Sequence, residues 1–311
     1  MTAKRVLPKG VPDKDATLEE LFAHLKEHGR LDSTMFPRND VIEVFIKAST
    51  PVPIVFAGDL HIGSPGTDYD QLQRDIDFIA ANPELKLILA GDTVDNFGTG
   101  FKSAQPVLDQ ACSPKMQKMI LTKVVERLSR NKSLLFSLWG NHEGRDENTT
   151  GDNPFAAILS KAAPYFDGQG IVILLVGKTR ATAQRYVLVL AHKPPSRSAN
   201  DKLLGAKRLY ASRAASDVVC TAHYHDPAIT QDMHYTAARD AGLGYGGKRI
   251  LLALGTYLRE DVYSKRHWNG GSLGAPTVIF WPDQHRTEVT GTAEDALIYL
   301  RGLAAQDKEK A

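Results

Sequence analysis

Cysteine is scarce: Cys112 and Cys220 are the only two in 311 residues and stand 108 residues apart. That excludes a disulfide scaffold and a cysteine-rich zinc module, and makes a reducing compartment the default. Long apolar runs are missing too. Stretches such as Ile171–Val176 fall far short of the roughly 20 residues of a membrane span, and the N-terminal MTAKRVLPKGVPDKD has no apolar segment behind its basic residues. Membrane insertion and secretion are unsupported, and a cytoplasmic location is expected. Nor does one sign of charge dominate. Lys plus Arg number 38 against 36 Asp plus Glu, which argues against a uniformly basic nucleic-acid coat. Repeats, low-complexity tracts and Pro/Ser-rich linkers are also missing, so nothing cuts the chain into independent domains.

What is present begins with a short attachment. Residues 1–50 carry one helix signature, Thr17-Leu18-Glu19-Glu20 ahead of Leu21, Phe22 and Leu25. From residue 51 the pattern changes to short β-branched or leucine-rich runs ending in turn residues: PIVFAGD, LKLILAGD, SLLFSLWGN, IVILLVG, YVLVLAH, SDVVCTAH, RILLALG and PTVIFWP. These read as buried strands. Helical periodicity separates several of them, over Asp68 to Ala81 with Leu72, Ile76 and Ile79 on one face, and over Pro114 to Arg130 with Met119, Ile120, Val124 and Leu128. Alternation of this kind gives an α/β layered domain over 51–311. The strand-rich C-terminal half suggests a second sheet packed on the first. Thr292 to Ala305 reads as a closing helix and QDKEKA as a frayed tail.

Polar ligand types recur at strand ends. Asp59 and His61 stand in GDLHIG, Asp92 and Asp95 in GDTVDN, Asn141 and His142 in GNHE, His192 in LAHKPP, and His223 and His225 in TAHYH. The carboxyl ends of strands in an α/β sheet form one rim, so residues far apart in sequence can meet there. Intervals of 33, 49, 51 and 31 residues separate Asp59, Asp92, Asn141, His192 and His223, each long enough for a crossover. Glycines before Asp59, Asp92 and Asn141 would permit sharp turns. Mixed carboxylate, imidazole and amide ligands suit Mn, Fe, Ni or Zn better than calcium or a thiolate-bound zinc, and Asp92 is placed as an acidic bridge between two ions.

This ordered set resembles the calcineurin-like metallophosphoesterase superfamily, whose pattern D-x-H, G-D-x-x-D, G-N-H-[ED], H and H-x-H runs here from Asp59 to His225. The resemblance implies a four-layer α-β-β-α sandwich of two packed mixed sheets flanked by helices. It also implies two divalent ions, with manganese expected and Fe, Ni, Zn or Mg compatible. One would be held by Asp59, His61, Asp92 and His225, the other by Asp92, Asn141, His192 and His223. His142 would stay free of metal as general acid on the leaving oxygen, oriented by Asp95. Metal-activated hydroxide would attack phosphorus with no covalent phosphoenzyme. The segment from AHKPP to GTYLRED further resembles divergent members encoded in phage and prophage genomes.

Other motifs carry less. Gly242 to Lys248 satisfies G-x-x-x-x-G-K, but Arg249 replaces the required Ser or Thr and a strand follows, so a glycine-rich hairpin is expected. His24, His28, His234, His267 and His285 read as solvated. Cys220 reads as core and Cys112 as a loop residue.

Charge distribution points to the substrate. Lys193, Arg197, Lys202, Lys207, Arg208 and Arg213 outnumber Asp201 and Asp217 between two ligand histidines. A second cluster, Tyr257, Arg259, Tyr263, Lys265, Arg266, His267 and Trp268, mixes cations with rings able to stack on bases. Both suit a polyanion such as DNA or RNA. In the serine/threonine phosphatase branch an arginine follows the second aspartate, whereas here Asn96 and Phe97 do. A phosphodiesterase acting on nucleic acid or nucleotides is therefore the expected function. The alternatives are a phosphomonoesterase acting on protein or small molecules, and a noncatalytic scaffold of the same fold.

Overall fold

The computed structural model describes residues 17, 19, 22, 41–97, 108–145, 153–166, 168–198, 200–211, 216–237, 244–259 and 275–310. The chain divides into two compact units, Met1–Asn39 and Asp40–Ala311. In the first, Glu19 and Phe22 are helical, and the remainder of the helix expected there lies outside the described residues.

The second unit is built on two six-stranded sheets. In chain order the strands of the first are β1 (Val41–Lys47), β6 (Gln169–Gly177), β7 (Gln184–Ala191), β8 (Val218–Thr221), β9 (Ala228–Ala237) and β10 (Gly244–Ala253). The second holds β2 (Val52–Ala57), β3 (Lys86–Leu89), β4 (Leu134–Leu138), β5 (Tyr165–Phe166), β11 (Thr277–Phe280) and β12 (Thr287–Thr290). Their orders are β1-β6-β7-β8-β10-β9 and β12-β11-β2-β3-β4-β5. Both are mixed: β2, β3, β4 and β5 run parallel and β11 antiparallel to β2, while β8 lies parallel between β7 and β10.

Alternation along each strand makes two buried faces. Ile54, Phe56, Ile88, Phe136 and Leu138 meet Val172, Leu174, Leu188, Leu190, Val218 and Ile250 between the sheets. On the other face Val55, Leu87 and Leu89 pack against α1 (Tyr69–Ala81), α2 (Pro114–Ser129) and α3 (Pro154–Ser160) through Leu72, Ile79, Leu121, Leu128 and Phe155. Helix α4 (Leu204–Ala211) covers Val189, Val219 and Leu251 with Ala206 and Leu209, and α5 (Ala293–Lys310) lies against Ile279 and Trp281. The result is helix, sheet, sheet, helix, as expected. Ser113 and Asp68 cap α2 and α1 by accepting from Met116 N and Gln71 N, each satisfying a first-turn donor.

Four local expectations need correction. Val41–Lys47 is strand β1, paired parallel with β6, so the sheet begins inside the segment read as an attachment. Helix α5 continues to Lys310 rather than fraying at residue 306, since Asp-Lys-Glu-Lys follows a helical face and Lys and Glu are good helix formers. Met119 is exposed; the inward row of α2 is Gln117, Leu121, Val125 and Leu128, because the Gln117 amide is buried by its own hydrogen bonds. His285 is not merely solvated, since its Nε2 lies 2.9 Å from Asp217 Oδ1. The glycine-rich hairpin is present, β10 pairing antiparallel with β9 from Gly244↔Ala237 to Ala253↔Ala228. Cys220 is buried in β8.

Candidate metal centre

The parallel strands deliver their C-terminal ends to one rim. Asp59 follows β2, Asp92 follows β3 and Asn141 follows β4 in one sheet, while His192 follows β7 and His223 follows β8 in the other. The backbone leaves each strand sharply. Of the seven non-glycine residues with positive φ among those described, five are expected ligands: Asp59, His61, Asp92, His223 and His225. That conformation is uncommon for residues bearing a Cβ and concentrates where a fold over-determines a functional geometry. The turns are thus made largely by the ligands themselves. Gly140 serves closeness instead, as a Cβ there would lie 2.1 Å from Asp92 N and 2.2 Å from Asp92 Oδ1.

The side chains converge in three overlapping groups. Ligand atoms of Asp59, His61 and His225 lie within 4.8 Å of one another, as do those of His61, Asp92 and His142, and those of Asp92, His192 and His223. In the first, His225 Nε2 is 3.1 Å from Asp59 Oδ1 and 3.3 Å from His61 Nε2. In the third, His192 Nε2 is 3.1 Å from Asp92 Oδ2 and 3.2 Å from Asn141 Oδ1. Asp92 and His61 each belong to two groups, and of the two only the carboxylate has a second oxygen to offer, as a shared ligand requires.

Partners on the far sides of the rings fix which nitrogen faces inward. His192 Nδ1 donates to the Ala90 carbonyl at 2.8 Å, and His61 Nδ1 lies 3.3 Å from Asp95 Oδ1. With Nδ1 anchored, Nε2 is the nitrogen turned toward the centre, the outer arrangement metal-binding histidines use. Asp59 and Asp92 stay ionised: burial works against their charge, but His225 for Asp59, and His142 and His192 for Asp92, hold their carboxyls low. A buried pair of carboxylates ringed by imidazoles, two of whose nitrogens face each other at 3.3 Å, is a donor set suited to divalent cations.

Without metal the centre holds protons in their place. Burial opposes charge on His192, but Asp92 and then Asp59 pull its pKa up to about 10. His61 is also raised, burial being outweighed by Asp95, Asp92 and Asp59. His223 goes the other way, pushed down to about 4 by burial and by His192. A histidine that binds metal must give up its inward proton. Metal loading near neutral pH should therefore release at least one proton per chain, and affinity should rise with pH until His192 no longer needs to be deprotonated. Calorimetric titration with Mn²⁺ in two buffers of different ionisation enthalpy measures this; proton uptake would show that the imidazoles are not ligands.

Asp95 and His142 meet, through the Asp95 backbone carbonyl rather than its carboxylate. Asp95 turns its carboxylate toward His61 and offers its backbone carbonyl to His142 Nδ1 at 2.7 Å, its Oδ1 being 3.8 Å from that nitrogen. His142 Nε2 lies 3.8 Å from Asp92 Oδ2. Burial, with the nearby His61 and Arg145 cations, holds its pKa well below the usual range against the pull of Asp92.

Several supporting residues were not legible as such. Glu143, fourth in GNHE, accepts from Thr93 N and Thr93 Oγ1 at 2.6 Å, Asp92 N at 3.1 Å and Gly140 N at 3.0 Å, tying two ligand loops together. Gln117 accepts from Asn96 N and donates to Gln110 and the Cys112 carbonyl. Thr256 and the Tyr257 N–H both bind the Asp59 carbonyl.

Of the expected substrate contacts, Tyr257 is overturned. It is buried in the core beneath the rim and its hydroxyl donates to Asp75 Oδ2 at 2.6 Å, so its ring cannot stack on a base. Arg259 forms an ion pair with the buried Asp68 carboxylate. Lys207 pairs with Asp201 at 2.9 Å, and Arg208 is exposed on α4. Arg197 and Lys202 reach Asp226 at 3.7 and 3.4 Å, one residue beyond His225. Lys193 is exposed and its charge acts on His223. Arg213, Tyr263, Lys265, Arg266, His267 and Trp268 lie outside the described residues.

Among solved structures, the chain is similar to the calcineurin-like phosphoesterase YfkN of Bacillus subtilis, at 10% identity over 78% of this chain and 91% of that one, with a TM-score of 0.38. It is also similar to TT1561 of Thermus thermophilus, at 8% identity over 78% and 99% with a TM-score of 0.37, and to Vps29 of Chaetomium thermophilum, at 12% over 76% and 95% with a TM-score of 0.32. No curated protein compared with the chain matches it. A family model described as calcineurin-like phosphoesterase matches residues 52–227. That span takes in every expected ligand from Asp59 to His225 and more than half of the sequence, so the chain belongs to the calcineurin-like phosphoesterase family.

Proposed function

We propose that this protein hydrolyses phosphodiester bonds, in nucleic acid or nucleotides, at a centre holding two divalent ions, with manganese the ion of choice. Family membership implies the coarser activity, a metal-dependent phosphoester hydrolase. The observation that carries the two-ion reading is Asp92, shared between the group with His61 and His142 and the group with His192 and His223. When bound, the ions supply Lewis acidity toward the phosphoryl oxygens and lower the pKa of a water molecule. The protein's part is to hold Asp59, His61, Asp92 and His225 about one ion and Asp92, Asn141, His192 and His223 about the other. His142 is the residue for proton exchange with the leaving oxygen: Nδ1 is anchored on the Asp95 carbonyl, so proton traffic runs through Nε2.

A polyanionic diester is supported by charge beside the centre. Arg197 and Lys202 both reach the Asp226 carboxylate beside His225, and exposed Lys193 adjoins the ligand His192. One observation favours a second reading, a phosphomonoesterase: the Arg145 guanidinium beside His142 would suit the extra charge of a monoester. The expected result is Mn²⁺-dependent hydrolysis of bis-p-nitrophenyl phosphate in excess of p-nitrophenyl phosphate, extended to single-stranded DNA, duplex DNA, RNA, cyclic nucleotides and a phosphopeptide. Faster cleavage of the monoester would transfer the assignment to a phosphatase. Cleavage of neither by metal-loaded protein would leave the scaffold reading.

A further inference from the structure

Arg145 has no place in the two-ion reading, yet it sits at the edge of the centre. Its Nη2 donates to His142 Nε2 at 2.8 Å, its Nη1 donates to the Asp95 carbonyl at 2.5 Å, and its guanidinium carbon lies 3.8 Å from the centroid of the Phe97 ring. Phe97 in turn meets the His142 ring edge-on at 5.6 Å. The polarity of these contacts is set by what each atom can do. A carbonyl only accepts and a guanidinium only donates, so His142 carries its proton on Nδ1 and offers a lone pair at Nε2.

Through Nη2 a permanent cation thus engages an uncharged acceptor beside two buried carboxylates and the rings around them. Such a bond is weak for a guanidinium, whose planar fork matches the oxygens of a phosphoryl group. A phosphoryl group offers charged oxygens that can meet the fork in two parallel bonds, which a single imidazole lone pair cannot. Stacking on Phe97 and the bond to the Asp95 carbonyl would hold the fork at the rim while Nη2 changes partner.

We propose that Arg145 binds the phosphoryl oxygens of the substrate, giving up His142 Nε2 as it does so and leaving that lone pair open to take a proton from solvent, which it must carry before it can protonate the leaving oxygen. The assignment rests on the phosphoesterase reading of the same centre, and it makes Arg145 a substrate-contacting residue two positions after Glu143 of GNHE.

The test uses inorganic phosphate as probe. Its binding to the Mn²⁺-loaded protein is measured by calorimetry for the parent, Arg145→Gln and Arg145→Lys, alongside KM and kcat on bis-p-nitrophenyl phosphate and metal content per chain. Loss of one charged hydrogen-bonding group should weaken phosphate binding in Arg145→Gln by about tenfold or more. KM should rise by a similar factor, with metal content unchanged and Arg145→Lys intermediate. Phosphate affinity within about twofold of the parent in Arg145→Gln overturns the proposal, and so does a fall in kcat with KM and phosphate affinity unchanged, which would leave Arg145 only positioning His142. Should Arg145→Gln lose metal, Arg145→Lys decides alone, affinity equal to the parent counting against the assignment. A parent protein that neither binds phosphate nor cleaves either ester sinks the phosphoesterase reading and the assignment together.

Discussion

Replacing Asp92 by asparagine should reduce turnover on the order of 10³-fold, the scale on which removal of one element of transition-state charge stabilisation is felt. The substitution preserves volume and removes one charge. Asp92 is 1% exposed and has no slack: Oδ1 accepts from His142 N at 2.8 Å while Oδ2 lies 3.1 Å from His192 Nε2. An asparagine oxygen can take only one of these places. If it keeps the bond to His142 N, the amide nitrogen points its hydrogens at the shared position where a cation would bind. If it flips, amide hydrogens oppose the His142 N–H. Either way the ligand common to two groups is lost, so elemental analysis should find fewer than two ions per chain in a protein whose circular dichroism matches the parent. A second effect follows from electrostatics. Asp92 is the main attraction holding the His192 pKa near 10, so proton release on metal binding should also diminish. Two bound ions and parental turnover in Asp92→Asn would exclude Asp92 as the bridging ligand.

The sequence was legible where a local pattern decides the outcome. Leucine-rich runs ending in Gly-Asp or Gly-Asn became β2, β3 and β4, and the polar residues after them met because parallel strands share a rim. It was less legible where long-range packing decides. Val41–Lys47 carries Glu43 in its middle and finds its partner, Ile171–Gly177, some 130 residues later, so nothing local marks it as part of the sheet. Tyr257 stands two residues from Arg259 and looks like a stacking surface, yet its phenol is buried against Asp75 of α1, 182 residues away. Gln117 interrupts the apolar row of α2, and only its bonds to Asn96 and Gln110 explain why a polar side chain replaces the expected inward face. The left-handed backbone of the ligands belongs to the same class. Glycines before Asp59, Asp92 and Asn141 suggested where the turns are made, and Gly91 does take a positive φ, but Asp59, His61, Asp92, His223 and His225 are left-handed themselves and are sustained by bonds from other loops. Asp59 shows how: its carbonyl accepts from Thr256 and Tyr257, and its carboxylate from His223 N at 2.9 Å.

Glu143→Ala should be the most destabilising single change near the centre, by about 3–5 kcal/mol, the usual cost of removing one partner from a buried charged network. The carboxylate is fully buried and accepts from three backbone N–H groups and one hydroxyl, drawn from the loop after β3 and the loop after β4. Alanine removes every acceptor at once, and each buried N–H left unpaired costs about 1–3 kcal/mol. Burial and the neighbouring Asp92 charge push the Glu143 carboxyl up, while the Thr93 hydrogen bonds pull it back. Gln is not a silent replacement, because all the groups facing either oxygen donate and an amide nitrogen would add a donor against them. Urea unfolding of metal-free protein should therefore order the parent above Glu143→Gln and Glu143→Ala lowest. The metal-free state matters, since bound ions would add their own stabilisation and hide part of the loss. Activity should fall with stability, because Glu143 holds the N–H of Asp92 in its left-handed turn. A metal-free Glu143→Ala protein that unfolds at the parental urea midpoint would show that the Glu143 bonds do not hold the two loops together.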